Sequence, residues 1–156
     1  MEFVVGNTFG TTVHIAYGAF WLSFAMFLIP SLGLEAAYAG DERAWTFALG
    51  IYLLLWCFLT IIFLIAALRT NYAIISVLFF LVLAFFFLSL AEFTATSRPG
   101  ASLGLNKAGG AFSVITAALA FYAGAAGLMQ PETTMVRFPL GVIGAPKTVA
   151  TAKSAA

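Results

Sequence analysis

Long runs without an acidic or basic side chain divide this sequence into four apolar segments. No Asp, Glu, Lys or Arg occurs in the runs 3–34, 44–68, 70–91 and 108–131. A helix needs about 20 residues to cross the roughly 30 Å of hydrocarbon in a bilayer. Each run is longer than that. The pattern therefore predicts four membrane-spanning helices, at about 9–29, 45–68, 71–94 and 107–129.

The apolar segments predict helices rather than strands. Membrane-spanning strands alternate polar and apolar residues over about ten positions, whereas these segments are longer and apolar on all sides. The predicted fold class is all-α, a polytopic transmembrane helical bundle. Residues 1–130 form the predicted transmembrane domain. Residues 131–156, rich in Ala, Lys and Thr, are predicted to be a disordered cytoplasmic tail.

Composition agrees with a membrane protein. The chain is 63% hydrophobic and 8% charged, whereas a soluble domain is about 45–50% apolar and about 25% charged. A net charge of +1 provides no basic surface for a nucleic-acid partner. Cytoplasmic loops carry an excess of Lys and Arg, which predicts cytoplasmic termini. The end of the bundle that holds the termini carries Arg69, Arg137, Lys147 and Lys153, and the other end carries Arg43, Arg98 and Lys107.

The sequence lacks the side chains that most catalytic and metal sites require. One His and one Cys exclude a His/Cys metal cluster of conventional spacing. The chain contains no Gly-x-Ser-x-Gly elbow, no phosphate-binding loop and no pair of intramembrane carboxylates. The sequence therefore predicts a protein that is not an enzyme and that holds no metal or cofactor.

Two helix faces combine apolar and polar positions. Polar groups inside a membrane are costly and often mark a pathway. The plainer interpretation is that the Tyr17 hydroxyl bonds a neighbouring backbone carbonyl, that His14 makes an ordinary hydrogen bond between helices and that Glu92 is solvated at a helix end. One face of the first span holds Gly10, His14, Tyr17 and Trp21, and one face of the third holds Leu81, Phe85, Leu88 and Glu92.

Small residues recur at three- and four-residue steps in two of the spans. Lipid provides no hydrophobic drive for helix association, so small residues that allow close approach are expected at helix contacts. We therefore expect the fourth and first spans to pack closely on protein partners. The fourth span carries Gly109, Ser113, Thr116, Ala120, Ala123 and Gly127, and the first carries Thr12, Ala16, Ala19 and Ser23.

Two motifs near the start of the chain resemble a signature of the acetate uptake transporter family. They are Gly6-Asn7-Thr8-Phe9-Gly10 and Tyr17-Gly18-Ala19-Phe20-Trp21. The family includes the fungal acetate permeases and the bacterial succinate–acetate permeases of the YaaH type. The resemblance continues through Gly50-Ile51-Tyr52-Leu53 and Lys107-Ala108-Gly109-Gly110, to about Leu140.

The resemblance implies a function and a set of site residues. It implies passage of acetate or a similar small monocarboxylate across the plasma membrane through a narrow hydrophobic constriction. Tyr17 and Leu81 match two of the constriction residues. Asn7, His14 and Glu92 are candidate polar residues of the pathway. Because desolvating an ion is costly, we also expect proton-coupled entry.

The resemblance also implies an architecture. Family members have six spans and assemble as hexamers. The four spans here then correspond to spans three to six. The expected partners are the lipid bilayer and further copies of the chain in a homo-oligomer. Two other interpretations stay open at this point. In the first, the chain is a shortened, non-transporting paralogue that acts as a structural or regulatory membrane subunit. In the second, it is an ammonium or other ion channel.

Overall fold

The computed structural model describes residues 4, 6–129, 132 and 134–143. These residues form four long helices, and the predicted all-α class is confirmed. All four helices are long and apolar enough to cross a membrane. In chain order they are α1 (Thr8–Leu28), α2 (Glu42–Ala67), α3 (Tyr72–Thr94) and α4 (Pro99–Leu128), with short 3₁₀ helices at Pro30–Leu32 and Ala36–Tyr38.

Side-chain caps define the starts of the first three helices. The side-chain oxygen of Asn7 accepts from the Gly10 N–H at 3.0 Å, and Asp41 and Asn71 cap α2 and α3 in the same way. Such caps satisfy N–H groups that the first turn leaves without an intrahelical partner. The fourth helix begins instead at Pro99, where the missing N–H has no consequence. It therefore starts well before the span expected from residue 107.

Each helix packs against its neighbour in the sequence. The α2 helix lies against α1 and α3, and α3 lies against α2 and α4. The side chains of α1 and α4 that face away from the bundle are exposed, as expected where a bilayer solvates apolar groups; Trp21 is 66% exposed and Phe121 81%. Two buried clusters form the core, and their members are Phe20, Leu53, Cys57 and Phe85 in one and Phe63, Ala67 and Leu78 in the other.

Residues 134–143, here called the tail segment, run from the end of α4 to the start of α3. The Tyr122 hydroxyl donates to the Pro139 carbonyl at 2.7 Å. Three backbone hydrogen bonds follow: Tyr72 N–H to Gly141 at 3.0 Å, Ala73 N–H to Leu140 at 3.2 Å and Ile143 N–H to Thr70 at 2.9 Å. The first two satisfy amides that the α3 terminus would otherwise leave free. Residues 144–156 of the tail lie outside the described residues.

The stripe of small residues on α4 is buried in part. A Cβ atom added at Gly109 would lie 2.7 Å from Leu88 Cγ and 3.1 Å from the Leu88 backbone nitrogen, so α3 and α4 approach closely at this point. Thr116 is buried as well. Ala120 and Gly127, further along the stripe, are exposed. The expected close packing is therefore found over the middle of α4 and not at its end.

Candidate functional site

Tyr17 and Leu81, the two constriction residues expected from the family resemblance, reach the same place in the fold. Tyr17 lies on α1 and Leu81 on α3, and both are half-buried. Both pack against one buried cluster to which α1, α2 and α3 all contribute. We call it the central cluster, and it consists of Phe20, Leu53, Cys57 and Phe85.

The Tyr17 hydroxyl is held by α2. It donates to the Thr60 hydroxyl at 3.1 Å, and Thr60 donates in turn to the Trp56 carbonyl one turn earlier, at 2.7 Å. The Tyr17 ring meets the edge of Phe63 at a centroid distance of 5.9 Å and 73°. Thr60 is 0% exposed. Its role was missed in the sequence, because a single Thr in an apolar span does not indicate which helix it faces.

A second hydroxyl pair joins α1 to α2 on the other side of Phe20. Ser23 Oγ and Tyr52 Oη lie 2.6 Å apart. Tyr52 is also within reach of the Phe20 carbonyl at 3.2 Å, and Ser23 of the Ala19 carbonyl at 2.8 Å. The two polar contacts therefore flank an aromatic side chain that is itself buried.

Aromatic rings fill the space between α1 and α2. Phe20 stacks on Tyr52 at a centroid distance of 5.9 Å and 18°, and meets the edge of Trp56 at 5.1 Å and 72°. It also meets Phe85 of α3 at 5.1 Å. Each such pair contributes about 0.5–1.5 kcal/mol beyond the area it buries. We call this contact between α1 and α2, with its two hydroxyl pairs, the aromatic interface.

Asn7 and His14 make their hydrogen bonds within the first turns of α1. Asn7 caps the helix at Gly10. His14 Nδ1 lies 2.7 Å from the Gly10 carbonyl oxygen. Because a carbonyl can only accept, Nδ1 must carry the proton. Both side chains are exposed, and they lie at the same end of the bundle as the tail segment rather than at the central cluster.

Glu92 lies at the far end of α3. It shares a helix face with Leu81 but follows it by about 16 Å, at 1.5 Å per residue. The side chain is half-buried. Within the part of the chain that the structure describes, its carboxylate makes no hydrogen bond or ion pair. Glu92 is therefore not brought together with Tyr17, and a ligand would meet the two groups at different depths.

The loop between α1 and α2 contains two open cavities. One, of about 380 Å³, is lined in part by Tyr38, Asp41 and Trp45, and the other, of about 560 Å³, by residues that include Phe27 and Pro30. Neither is lined by central-cluster residues. Across the described ranges, no group of three His, Cys, Asp or Glu side chains could hold a metal ion.

Comparison with known proteins agrees with the architecture. The sequence profile of the GPR1/FUN34/yaaH family matches residues 1–144. The acetate transporter protein patA of Aspergillus clavatus is 35% identical over 141 residues, which cover 90% of this chain and 57% of that protein. The meiotically up-regulated gene 86 protein of Schizosaccharomyces pombe is 34% identical (90% and 46% covered), and the ammonia transport outward protein 2 of Saccharomyces cerevisiae is 33% identical (86% and 46% covered).

The extent of these matches confirms the family resemblance. The family profile covers nearly all of the chain, and the chain spans about half the length of the curated relatives it matches. Four membrane-length helices and relatives named as transporters agree with a place in a bilayer. This chain is an integral membrane protein and belongs to the GPR1/FUN34/YaaH family.

Proposed function

We propose that this chain forms part of a passage through which acetate or a similar small monocarboxylate crosses a membrane. One observation carries the proposal. Tyr17 and Leu81, which match constriction residues of the family, pack against the same central cluster from two different helices. The name of the Aspergillus clavatus relative, an acetate transporter, supports the choice of substrate.

The proposed constriction combines apolar walls with a hydroxyl group. The methyl group of a small acid would contact Leu81 and Phe85, while its carboxyl group would face Tyr17. A charged carboxylate loses its hydration at such a place, at a cost of several kcal/mol. Entry of the acid together with a proton lowers that cost, so we propose proton-coupled entry. The size of Leu81 then sets the largest acid that passes.

The proposed setting follows the family and the distribution of charge. We propose a plasma-membrane location, cytoplasmic termini and assembly into hexamers. Arg69 and Arg137 are exposed at the end of the bundle that carries the tail segment, and positive charge of this kind favours the cytoplasmic side. The exposed apolar surface of α1 and α4 is compatible with further protein contacts as well as with lipid.

Uptake by reconstituted vesicles tests the constriction. The purified chain is placed in proteoliposomes, and uptake of labelled acetate is compared with uptake of labelled butyrate. We expect Leu81→Ala to raise the butyrate-to-acetate ratio, because it widens the passage. Leu83→Ala, two residues on and about 200° around the helix, should leave the ratio unchanged. Equal ratios in wild type and Leu81→Ala would show that Leu81 does not set the size limit.

Passage of ammonia is a second candidate. It is favoured by the Saccharomyces cerevisiae relative, which is named as an ammonia transport protein. The same vesicles, loaded with a pH-sensitive dye and given an ammonium gradient, would become alkaline inside faster than protein-free vesicles. Such a response, with no labelled acetate taken up, would favour ammonia over acetate.

A non-transporting structural or regulatory subunit is a third candidate. It is favoured by a Yarrowia lipolytica relative, which is named as a glyoxylate pathway regulator. Co-purification with a full-length relative, together with no flux of acetate or ammonia by the chain alone, would support it.

A further inference from the structure

The direction of the hydrogen bond between Tyr17 and Thr60 is fixed by the groups around it. The Trp56 carbonyl can only accept, and Thr60 has a single hydroxyl proton, which it donates to that carbonyl at 2.7 Å. Thr60 therefore offers only lone pairs to Tyr17, so Tyr17 must be the donor in the 3.1 Å bond between them. Because Thr60 is fully buried, solvent provides no alternative partner.

This direction determines what Tyr17 can offer to a ligand. A phenol has one proton, and the proton of Tyr17 is used by Thr60. The oxygen can still accept a hydrogen bond, but it cannot donate one unless the bond to Thr60 breaks. A carboxylate anion is an acceptor only, whereas an undissociated carboxylic acid carries an O–H that donates. In this arrangement Tyr17 complements the acid and not the anion.

The hydroxyl protons of the second pair, Ser23 and Tyr52, are likewise used within the protein. Ser23 and Tyr52 lie 2.6 Å apart, so one of them donates to the other. The remaining proton has a backbone carbonyl within reach, that of Ala19 or of Phe20. Whichever hydroxyl donates, both protons are used inside the aromatic interface. The interface therefore presents acceptors at both of its polar contacts.

Charged groups near the proposed passage do not favour an anion. Glu42 and Glu92 carry negative charge when ionised. Besides Tyr17, the titratable side chains on α1, α2 and α3 are His14, Glu42, Arg43, Tyr52, Cys57, Tyr72 and Glu92. The described Lys and Arg residues lie in loops or within the first three turns of a helix, and they are Arg43, Arg69, Arg98, Lys107 and Arg137. None of them is among the groups packed on Tyr17.

We propose that Thr60 is a positioning residue that holds the proton of Tyr17 and so makes the constriction selective for the undissociated acid. The acid donates its O–H to Tyr17 Oη and keeps its proton throughout, so no proton is transferred to the protein. This inference rests on the proposed function, because it assigns the form of the substrate at the same constriction.

Two substitutions of Thr60 separate this role from packing. Thr60→Val keeps the shape of the side chain but removes the hydroxyl, which frees the Tyr17 proton to point into the passage. Thr60→Ser keeps the hydroxyl and is the matched control. Both variants are placed in proteoliposomes that contain a lumenal pH dye, and the flux of protein-free vesicles is subtracted, since undissociated acetic acid also crosses lipid.

The readout is lumenal acidification per labelled acid that enters. In wild type and Thr60→Ser, each acid should release its proton inside, and the uptake should not respond to membrane voltage. In Thr60→Val, acidification per label should fall, and the uptake should become voltage-sensitive as the anion enters. Label without acidification in wild type would overturn the proposal, and so would identical behaviour of Thr60→Val and Thr60→Ser.

A binding measurement separates this inference from the proposed transport. Infrared difference spectra of the purified chain with carboxyl-labelled acetate distinguish the carbonyl band of the bound acid from carboxylate bands. We expect the acid band in wild type and Thr60→Ser, and its loss in Tyr17→Phe. The Tyr17→Phe variant therefore tests the inference even if Thr60→Val does not fold. Carboxylate bands in wild type, or no bound form at all, would overturn the inference. A bound acid without flux in vesicles would defeat only the proposed transport.

Discussion

The α3–α4 contact and the aromatic interface hold neighbouring helices together in opposite ways. At the α3–α4 contact, Gly109 brings the helices so close that an added Cβ would lie 3.1 Å from the Leu88 backbone nitrogen. At the aromatic interface, α1 and α2 contact each other through rings such as Phe20 and Trp56, 5.1 Å apart between centroids. Small residues allow helix backbones to approach, whereas large rings keep them apart.

The two contacts also differ in what their hydroxyl groups do. On α4, Ser113 and Thr116 donate to carbonyls of their own helix. Within the described residues, the two hydrogen bonds between side chains of different helices, at Tyr17 and at Tyr52, both cross the aromatic interface. Near the start of α4, the Ser102 hydroxyl donates to the Ala91 carbonyl of α3 at 2.9 Å. We conclude that the α3–α4 contact combines close packing with a hydrogen bond to the backbone, whereas the aromatic interface provides packing together with the side-chain pairs of the candidate site.

Loss of the central ring should have the largest effect on stability. Phe20→Ala removes a side chain that contacts rings on α2 and α3 and should lower the free energy of unfolding in detergent by about 3 kcal/mol. Phe121→Ala is the matched control, because Phe121 is 81% exposed and should have little effect. Similar losses in both variants would mean that the aromatic interface does not hold α1 in place.

A single methyl group tests the α3–α4 contact. Gly109→Ala places a Cβ against Leu88 and should lower the free energy of unfolding by about 1–3 kcal/mol, as overpacking does. Gly110→Ala adds the same group where no atom lies within 4 Å, so it should be neutral or stabilising, because Ala favours a helix. Equal melting temperatures for the two variants would contradict the close approach of α3 and α4.

A second glycine tests whether close packing also occurs where the tail segment meets the start of α3. Gly141→Ala places a Cβ 2.8 Å from the Tyr72 ring at a φ of +68°. It should lower the free energy of unfolding by about 2 kcal/mol, because it combines overpacking with a left-handed backbone. Gly33 has a similar φ of +63° with no atom nearby. Gly33→Ala should therefore lower the free energy of unfolding only by the backbone strain, about 1 kcal/mol. Amide exchange at Tyr72 and Ala73 should rise in Gly141→Ala alone.

The smallest effect is expected for one hydroxyl group. Ser23→Ala removes the partner of Tyr52 across the aromatic interface and should lower the free energy of unfolding by about 0.6 kcal/mol, as for hydrogen bonds between membrane helices. Ser113→Ala removes a hydroxyl that donates to a carbonyl of its own helix. It should therefore lower the free energy of unfolding by less than Ser23→Ala does. A larger loss for Ser113→Ala would reverse the assignment of polar contacts to α1 and α2.

The number and type of the helices could be predicted from the sequence, because charge-free runs of membrane length have few alternatives. Their ends were harder to predict, since charged residues such as Arg98 and Lys107 mark where a bilayer surface is expected, whereas Pro99 fixes where the helix begins. The family resemblance also indicated Tyr17, within a motif, and Leu81, in the Phe-rich third span, and both pack on one cluster.

The rest of the site depends on contacts between helices. Periodicity places His14 and Tyr17 on one face of α1, yet His14 bonds its own helix and only Tyr17 reaches α2. Thr60 gives no signal in the sequence, because its importance comes from the helix it faces. The small residues of α4 predict a contact, but they do not determine that Gly109 meets a neighbour while Gly110 meets none.

Cysteine accessibility tests most directly whether the proposed passage lies on the α1 side of α3. Cys57, the only cysteine, is first replaced by Ala, and then Leu81→Cys and Leu83→Cys are made separately. Both positions are half-buried on α3, but only Leu81 packs on the central cluster. A water-soluble thiol reagent should label Leu81→Cys, and acetate should slow that labelling, while Leu83→Cys should not react. Labelling of Leu83→Cys alone, or labelling of Leu81→Cys that acetate does not slow, would contradict a passage at this place.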